Sequence, residues 1–268
     1  MAEAAQNLDL PLEINPLGPA IGAEISNVDL THSLSDDQIA SIHQAWLKHQ
    51  VVFFRDQDLT VGQHIAFTRQ FGELHIHPNV PSHPDYPEVL VIRADENSKR
   101  VAGHGWHTDV SCDLSPPAGS ILRLTQTPKH GGGDTLFSSM YAAFDALSDH
   151  WQKFLTGLTA IHESAHVHGR YFDKSSEHAF VAAEHPVVRT HPETGRKCIY
   201  VNSAFTTRIC GMKPNESRST LDFQCRFSWT PHSIAMWDNR CVQHHAAWDY
   251  YPEVRHGYRV TLAGDKPF

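Results

Sequence analysis

The chain carries Trp106-His107-Thr108-Asp109 near its middle and Trp237-Asp238-Asn239-Arg240-Cys241-Val242-Gln243-His244-His245 near its end. His107 and Asp109 are two positions apart, so an extended segment would aim both side chains to one side. A distant histidine could complete the set, and spacing alone does not choose between His244 and His245. Two imidazoles and one carboxylate hold Fe(II) on one face and leave the opposite positions open for an oxidant and a co-substrate. An isolated H-x-D is a frequent accident, so the rest of the chain has to support the metal.

Two further groups of residues do. Gly131-Gly132-Gly133-Asp134-Thr135 reads as a turn running into a strand, which places the Thr135 hydroxyl at the strand start. Arg255, Gly257, Arg259 and Thr261 alternate with His256, Tyr258, Val260 and Leu262, so an extended strand would put both arginines on one face. If that face points inward, each guanidinium needs an anion, because unpaired buried charge is costly. A dicarboxylate co-substrate and an anionic substrate would supply the two.

These residues need a scaffold. Ser35 can cap a helix whose third residue, Gln38, closes a capping box, and Ile39, Ile42, Trp46 and Leu47 give that helix one apolar face. Val51 to Phe54 reads as a short strand, and Val61 to Phe71 as a second helix ended by Gly72. Beyond it, short strands are expected at Val89 to Arg93, Gly119 to Leu124, Thr135 to Phe137, Ile199 to Asn202, Ile234 to Trp237 and Tyr258 to Leu262. One helix is expected from Met140 to Leu158. Many short strands with few helices predict a mainly β sandwich or barrel with helices outside, and no linker or repeat divides residues 1–268, so a single domain is expected.

At 268 residues with 40% hydrophobic content, the chain can bury a large core. A formal net charge of -8 without any long Lys/Arg run argues against a nucleic-acid partner or an anionic membrane surface. No stretch reads as a signal peptide or a membrane span. Five cysteines with no C-x-x-C pair suggest neither a disulfide scaffold nor a Cys-based zinc site, so a cytoplasmic setting is expected.

Along almost its whole length the chain resembles the taurine dioxygenase family of Fe(II)/2-oxoglutarate-dependent enzymes. The matching segments include Pro16 to Ile25, His49 to Arg55, Phe71-Gly72-Glu73-Leu74-His75-Ile76-His77-Pro78, Trp106 to Asp109, Gly132 to Thr135, His185 to Pro192, Phe205 to Ile209, Trp237 to Arg240, and Gly264 to Pro267. The resemblance implies a double-stranded β-helix (jelly roll) with flanking helices, iron held by His107, Asp109 and His244, and consumption of O2. It selects His244 because the family's ligand follows the Gln at position 243. It implies that Thr135 and Arg255 bind the distal carboxylate of 2-oxoglutarate. Arg259 and His77 match positions that hold the substrate's anionic group, and Phe205 matches a pocket wall. A homo-oligomer is implied as well.

Gly103-His104-Gly105 stands where the taurine enzyme has a substrate-binding Asn, so His104 becomes a candidate at the substrate entrance. A pocket Phe of that enzyme has no counterpart in Ala165-His166-Val167-His168. An alkyl sulfonate such as taurine is the expected substrate, with phenoxyalkanoates and alkyl sulfate esters as alternatives served by the same iron residues. Phe172 to Ala183 and Pro214 to Phe223 are short for the family. Two other classes compete. His162-Glu163-Ser164-Ala165-His166 fits the H-E-x-x-H of a zinc metalloprotease, which needs both histidines on one helical face, although Phe172 stands where a further histidine is required and residues 157–161 read as strand. A non-catalytic jelly-roll binding module would be favoured by loss of an iron ligand, and none is lost.

Overall fold

The computed structural model describes residues 11–77, 82–98, 103, 105–165, 181–211 and 224–268, apart from the side chains of Gln224 and Cys225. His104, His166 and most of both short segments, 172–180 and 214–223, lie outside the described residues.

The main sheet is built from β1 (Glu13–Pro16), β2 (Ala23–Ser26), β3 (Val51–Phe54), β4 (Ser82–His83), β5 (Tyr86–Ala94), β6 (Gly119–Gln126), β14 (Ile234–Asp238) and β16 (Arg255–Leu262). Their order is β1-β2-β3-β14-β6-β16-β5-β4. Against it lies a second layer with β7 (Thr135–Ser139) between β13 (Gln224–Phe227) and β15 (Val242–Ala246), and a three-stranded sheet in which β8 (Thr159–Glu163) sits between β9 (Ala182–Pro186) and β12 (Thr206–Ile209). A hairpin of β10 (Val188–Thr190) and β11 (Lys197–Ile199) completes the strands. This is the mainly β, jelly-roll architecture expected from the sequence.

Central strands such as Val51-Val52-Phe53-Phe54 are apolar without alternation because both faces are covered. Phe53 points between the layers, where its ring stacks on Phe227 with centroids 3.8 Å apart, and Leu122, Leu124, Phe137, Trp237 and Val242 fill the same core. Val52 and Phe54 point the other way, into a core shared with Ile42, Ala45 and Trp46 of α1 (Asp36–His49). The predicted capping box is present: Ser35 Oγ accepts from Gln38 N and Gln38 Oε1 accepts from Ser35 N. Thr60 and Gln63 form a second box on α2 (Val61–Arg69), which stops two residues before the expected Phe71.

Two expectations are corrected. The single helix from Met140 to Leu158 is two short helices, α3 (Met140–Asp145) and α4 (Asp149–Leu155), because the Ser148 hydroxyl accepts from Trp151 N and starts a new helix. The strand expected from Ile199 to Asn202 stops at Ile199; Asn202 instead uses its side-chain oxygen to accept from Phe205 N in a turn.

Candidate active site

β15 is the element that assembles the metal-ligand candidates. His107 N donates to His244 O at 3.1 Å and His244 N donates to His107 O at 2.8 Å. His244 is the direct antiparallel backbone partner of His107. The pairing sets their rings 4.1 Å apart, and Asp109, two residues on, joins them. Asp109 Oδ1 lies 3.8 Å from His107 Nε2 and 3.9 Å from His244 Nε2. All three residues are buried.

Hydrogen bonds aim two of the three ligand side chains, His107 and Asp109, whereas His244 Nδ1 is buried without a hydrogen-bond partner among the described residues. Gly105 O sits 2.8 Å from His107 Nδ1, which fixes the proton on Nδ1 and leaves the Nε2 lone pair facing Asp109. Gly105 reaches this position at φ +105, a region open to glycine, so a glycine at 105 has a local purpose. Just after Asp109 the chain turns through Val110 at φ 48, a left-handed conformation costly for a β-branched residue. Asp109 Oδ2 accepts from Ser120 Oγ at 2.7 Å, Ser120 Oγ accepts from Asn239 Nδ2, and Asn239 Oδ1 accepts from Trp237 Nε1. Sequence reasoning quoted Trp237 and Asn239 only as part of a matching segment and missed Ser120, whose signal, a small polar residue opening an apolar strand, is too common to notice.

Burial opposes a charge on Asp109, but the Arg259 guanidinium, the two imidazoles and the Ser120 hydroxyl outweigh it and hold the carboxyl well below its usual range. Burial lowers the pKa of His107, and burial followed by the neighbouring His107 lowers that of His244 further. A carboxylate and two neutral imidazoles are the donor forms a divalent metal requires. The donor set fits Fe(II) on that ground.

β16 carries the cationic half of the site. Arg255 is buried, donates from Nε to Gly133 O at 3.1 Å and from Nη2 to Thr135 Oγ1 at 3.4 Å, and lies over the Trp229 ring at 5.6 Å. Among the described residues no carboxylate pairs with it. Thr135 Oγ1 also accepts from Trp229 Nε1 at 3.0 Å, so both its lone pairs are engaged and its proton remains to be donated. A buried cation beside a hydroxyl proton is a receptor for a carboxylate. Arg259, four residues along the same strand, donates from Nη1 to Asp109 Oδ1 at 2.8 Å.

The remaining candidates are placed less directly. Phe205 is buried and pinned through Asn202. His77 is half-buried, its ring 6.4 Å from that of His75. His75 N donates to Thr261 O, which lays this segment alongside the end of β16. His75 Nε2 lies 3.9 Å from Asp113 Oδ2, and after burial the influences on its imidazole are Asp113, Arg259 and Asp109, which places it at the rim of the site. His104 lies outside the described residues. The protease reading fails: His162 sits on strand β8, is fully buried with Nδ1 3.0 Å from Ser111 Oγ, and burial pushes its pKa down to about 3. Glu163 follows it on the strand and pairs with Arg208 at 3.9 Å, so the helical face that motif requires is absent at both residues.

The model of the family described as "Taurine catabolism dioxygenase TauD, TfdA family" matches residues 13–261. The chain belongs to this family. A taurine dioxygenase family relative from Saccharomyces cerevisiae, the alpha-ketoglutarate-dependent sulfonate dioxygenase, is 36% identical over 96% of this chain and 68% of its own length. The alpha-ketoglutarate-dependent sulfate ester dioxygenase of Pseudomonas putida is 31% identical over 96% of this chain and 91% of its own length. Among solved structures, a taurine dioxygenase from Burkholderia xenovorans superimposes with a TM-score of 0.81 at 38% identity, covering 96% of this chain and 90% of that one. Alpha-ketoglutarate, in the names of these relatives, is 2-oxoglutarate, a dicarboxylate.

Proposed function

We propose that this chain is a 2-oxoglutarate-dependent dioxygenase that hydroxylates a small anionic substrate, an alkyl sulfonate such as taurine. The observation that carries the reading is Arg255, a buried guanidinium without a carboxylate partner among the described residues, set on the same strand as Arg259, which reaches the His107/Asp109/His244 cluster. His107 Nε2, Asp109 Oδ1 and His244 Nε2 would hold Fe(II), which when bound supplies the activation of O2. Arg255 and Thr135 bind the distal carboxylate of 2-oxoglutarate through charge-assisted bonds and so orient its keto acid end. Arg259 and His77 hold the substrate's anionic group, with Phe205 as a pocket wall.

Hydroxylation of the carbon bearing the sulfonate gives an α-hydroxysulfonate. Loss of its hydroxyl proton and cleavage of the C–S bond release an aldehyde and sulfite. The same oxidation beside a sulfate ester oxygen releases an aldehyde and sulfate, the reading favoured by the resemblance to the P. putida relative. Four described cysteines, Cys112, Cys198, Cys210 and Cys241, are unpaired, which suits a reducing cytoplasm, and among the described residues no helix is long and apolar enough to cross a membrane. The working form is a homo-oligomer acting on small molecules rather than nucleic acid.

The test is succinate release by the Fe(II)-loaded protein across sulfonates, sulfate esters and phenoxyalkanoates. Sulfonates should give the highest turnover; a higher rate with another class would reassign the substrate, and no succinate with any would end the reading. Arg255→Ala should raise the 2-oxoglutarate concentration for half-maximal turnover by at least about thirtyfold, since truncating one side of a buried charge pair costs about 2–5 kcal/mol. An unchanged requirement would remove Arg255 from the co-substrate site.

A further inference from the structure

Arg259 contacts Asp109 at the carboxylate oxygen that faces both imidazoles. Its Nη1 donates to Asp109 Oδ1 at 2.8 Å, and that same oxygen lies 3.8 Å from His107 Nε2 and 3.9 Å from His244 Nε2. The opposite edge of the guanidinium is not satisfied: Arg259 Nε is buried and has no hydrogen-bond partner among the described residues. Nε and Nη2 form the side-on edge that an anion with two oxygens takes bidentately. A buried donor left unpaired is destabilising, so an anion arriving there relieves that cost in addition to its charge attraction.

Resting on the functional reading above, we propose that Arg259 bridges Asp109 to the substrate's anionic group and thereby couples metal affinity to substrate binding. The sign follows from the shared oxygen. A guanidinium donating to Asp109 Oδ1 draws electron density from the atom that would ligate the metal. An anion on the far edge takes up part of the positive charge and weakens the Nη1 bond, so Asp109 becomes a better donor. Substrate anion therefore tightens metal binding, and by reciprocity metal tightens substrate binding by the same factor. Only an arginine can do this, because a lysine has one nitrogen and cannot span two partners in fixed geometry.

The experiment measures the Mn(II) dissociation constant by electron paramagnetic resonance, with 2-oxoglutarate saturating and with methanesulfonate titrated in. Methanesulfonate carries the head group without a tail, so the fit of the rest of the pocket does not decide the result. In the native protein the anion should tighten Mn(II) about tenfold, within the usual range of site-to-site coupling. In Arg259→Gln and Arg259→Lys that factor should fall to about one, and Mn(II) alone should bind at least as tightly as in the native protein, because the competing donor is lost or weakened. Native Mn(II) affinity indifferent to methanesulfonate, or coupling retained in Arg259→Gln, overturns the proposal while leaving the dioxygenase reading in place. Mn(II) binding that is absent, or unaffected by Asp109→Ala, overturns the metal assignment and the proposal together.

Discussion

His107, Asp109 and His244 form one buried group whose ligand atoms lie within 4.8 Å of one another; His191, Asp238 and Cys241 form another. By residue type and proximity both could hold a metal, but their lone pairs are committed differently. His191 Nδ1 accepts from the backbone N–H groups of Glu193 and Thr194, so its proton is on Nε2 and is donated to Asp238 Oδ2 at 3.0 Å. Asp238 Oδ1 accepts from Arg240 N and Nε, and Oδ2 from Arg240 Nη2 at 2.8 Å. Burial pushes the Cys241 thiol well above its usual pKa, so it stays protonated. That group is a closed polar network tying β14 to the β10–β11 hairpin. In the first group the imidazole Nε2 atoms lie near Asp109 Oδ1, and among the described residues only Arg259 competes for that oxygen. A metal site is distinguished by uncommitted lone pairs, not by the presence of ligand residues.

The largest effects would break the comparison outright. Asp109→Ala should abolish metal-dependent succinate formation and stoichiometric Mn(II) binding, with Asp109→Asn as a folded control checked by circular dichroism. Retained turnover would sink the assignment. Asp238→Ala should do the reverse: it leaves Arg240 and His191 buried without their carboxylate, a loss of about 3–5 kcal/mol of folding stability, while the surviving folded protein keeps its metal stoichiometry. Urea unfolding and metal analysis on the same preparation would separate the two outcomes. Loss of metal without loss of stability would mean the roles have been exchanged.

A finer test addresses how the open group is held open. Ser120 is the residue through which Asn239 and Trp237 fix Asp109 Oδ2. Ser120→Ala should weaken metal affinity about 10- to 100-fold, the usual effect of removing a partner of a ligating group, with Arg255-dependent 2-oxoglutarate binding unchanged. Equal metal affinity in variant and native protein would show that Arg259 alone orients the carboxylate.

What the chain disclosed in advance follows the range of the interactions. The capping box of Ser35 and Gln38 was legible because its partners are three residues apart, and the shared face of Arg255 and Arg259 because strand alternation is local. The candidate ligands were legible through family resemblance, which replaces the missing long-range information with a known arrangement. The Ser148 cap that divides α3 from α4 was local too, but the apolar spacing through it masked the break. The contact of Arg259 with Asp109, between residues 150 positions apart, was not readable, since it depends on where β16 passes the turn after β15's partner segment. The closed network around Asp238 escaped for the same reason: Trp237-Asp238-Asn239-Arg240 reads as one motif, yet Asp238 turns to His191 and Asn239 to Ser120, on opposite sides of the strand end.

The smallest effect sharpens the same contrast through pH. Burial opposes ionisation of Asp238, but Arg240 and then His191 hold its carboxyl well below the usual carboxylate range. A carboxylate with a depressed folded pKa contributes its full stability above the unfolded pKa of about 4 and loses it as the pH falls towards the folded value. Native protein and Asp238→Asn should therefore differ most in unfolding free energy near pH 6, and the gap should narrow at pH 3, where the native protein has begun to lose the contribution the variant never had. Other carboxylates with lowered values, Asp109 among them, titrate in both proteins and cancel in the difference. A gap that stays constant from pH 6 to pH 3 would mean that Asp238 contributes by shape and hydrogen bonding rather than by charge, and that the two groups differ less in electrostatics than their geometry implies.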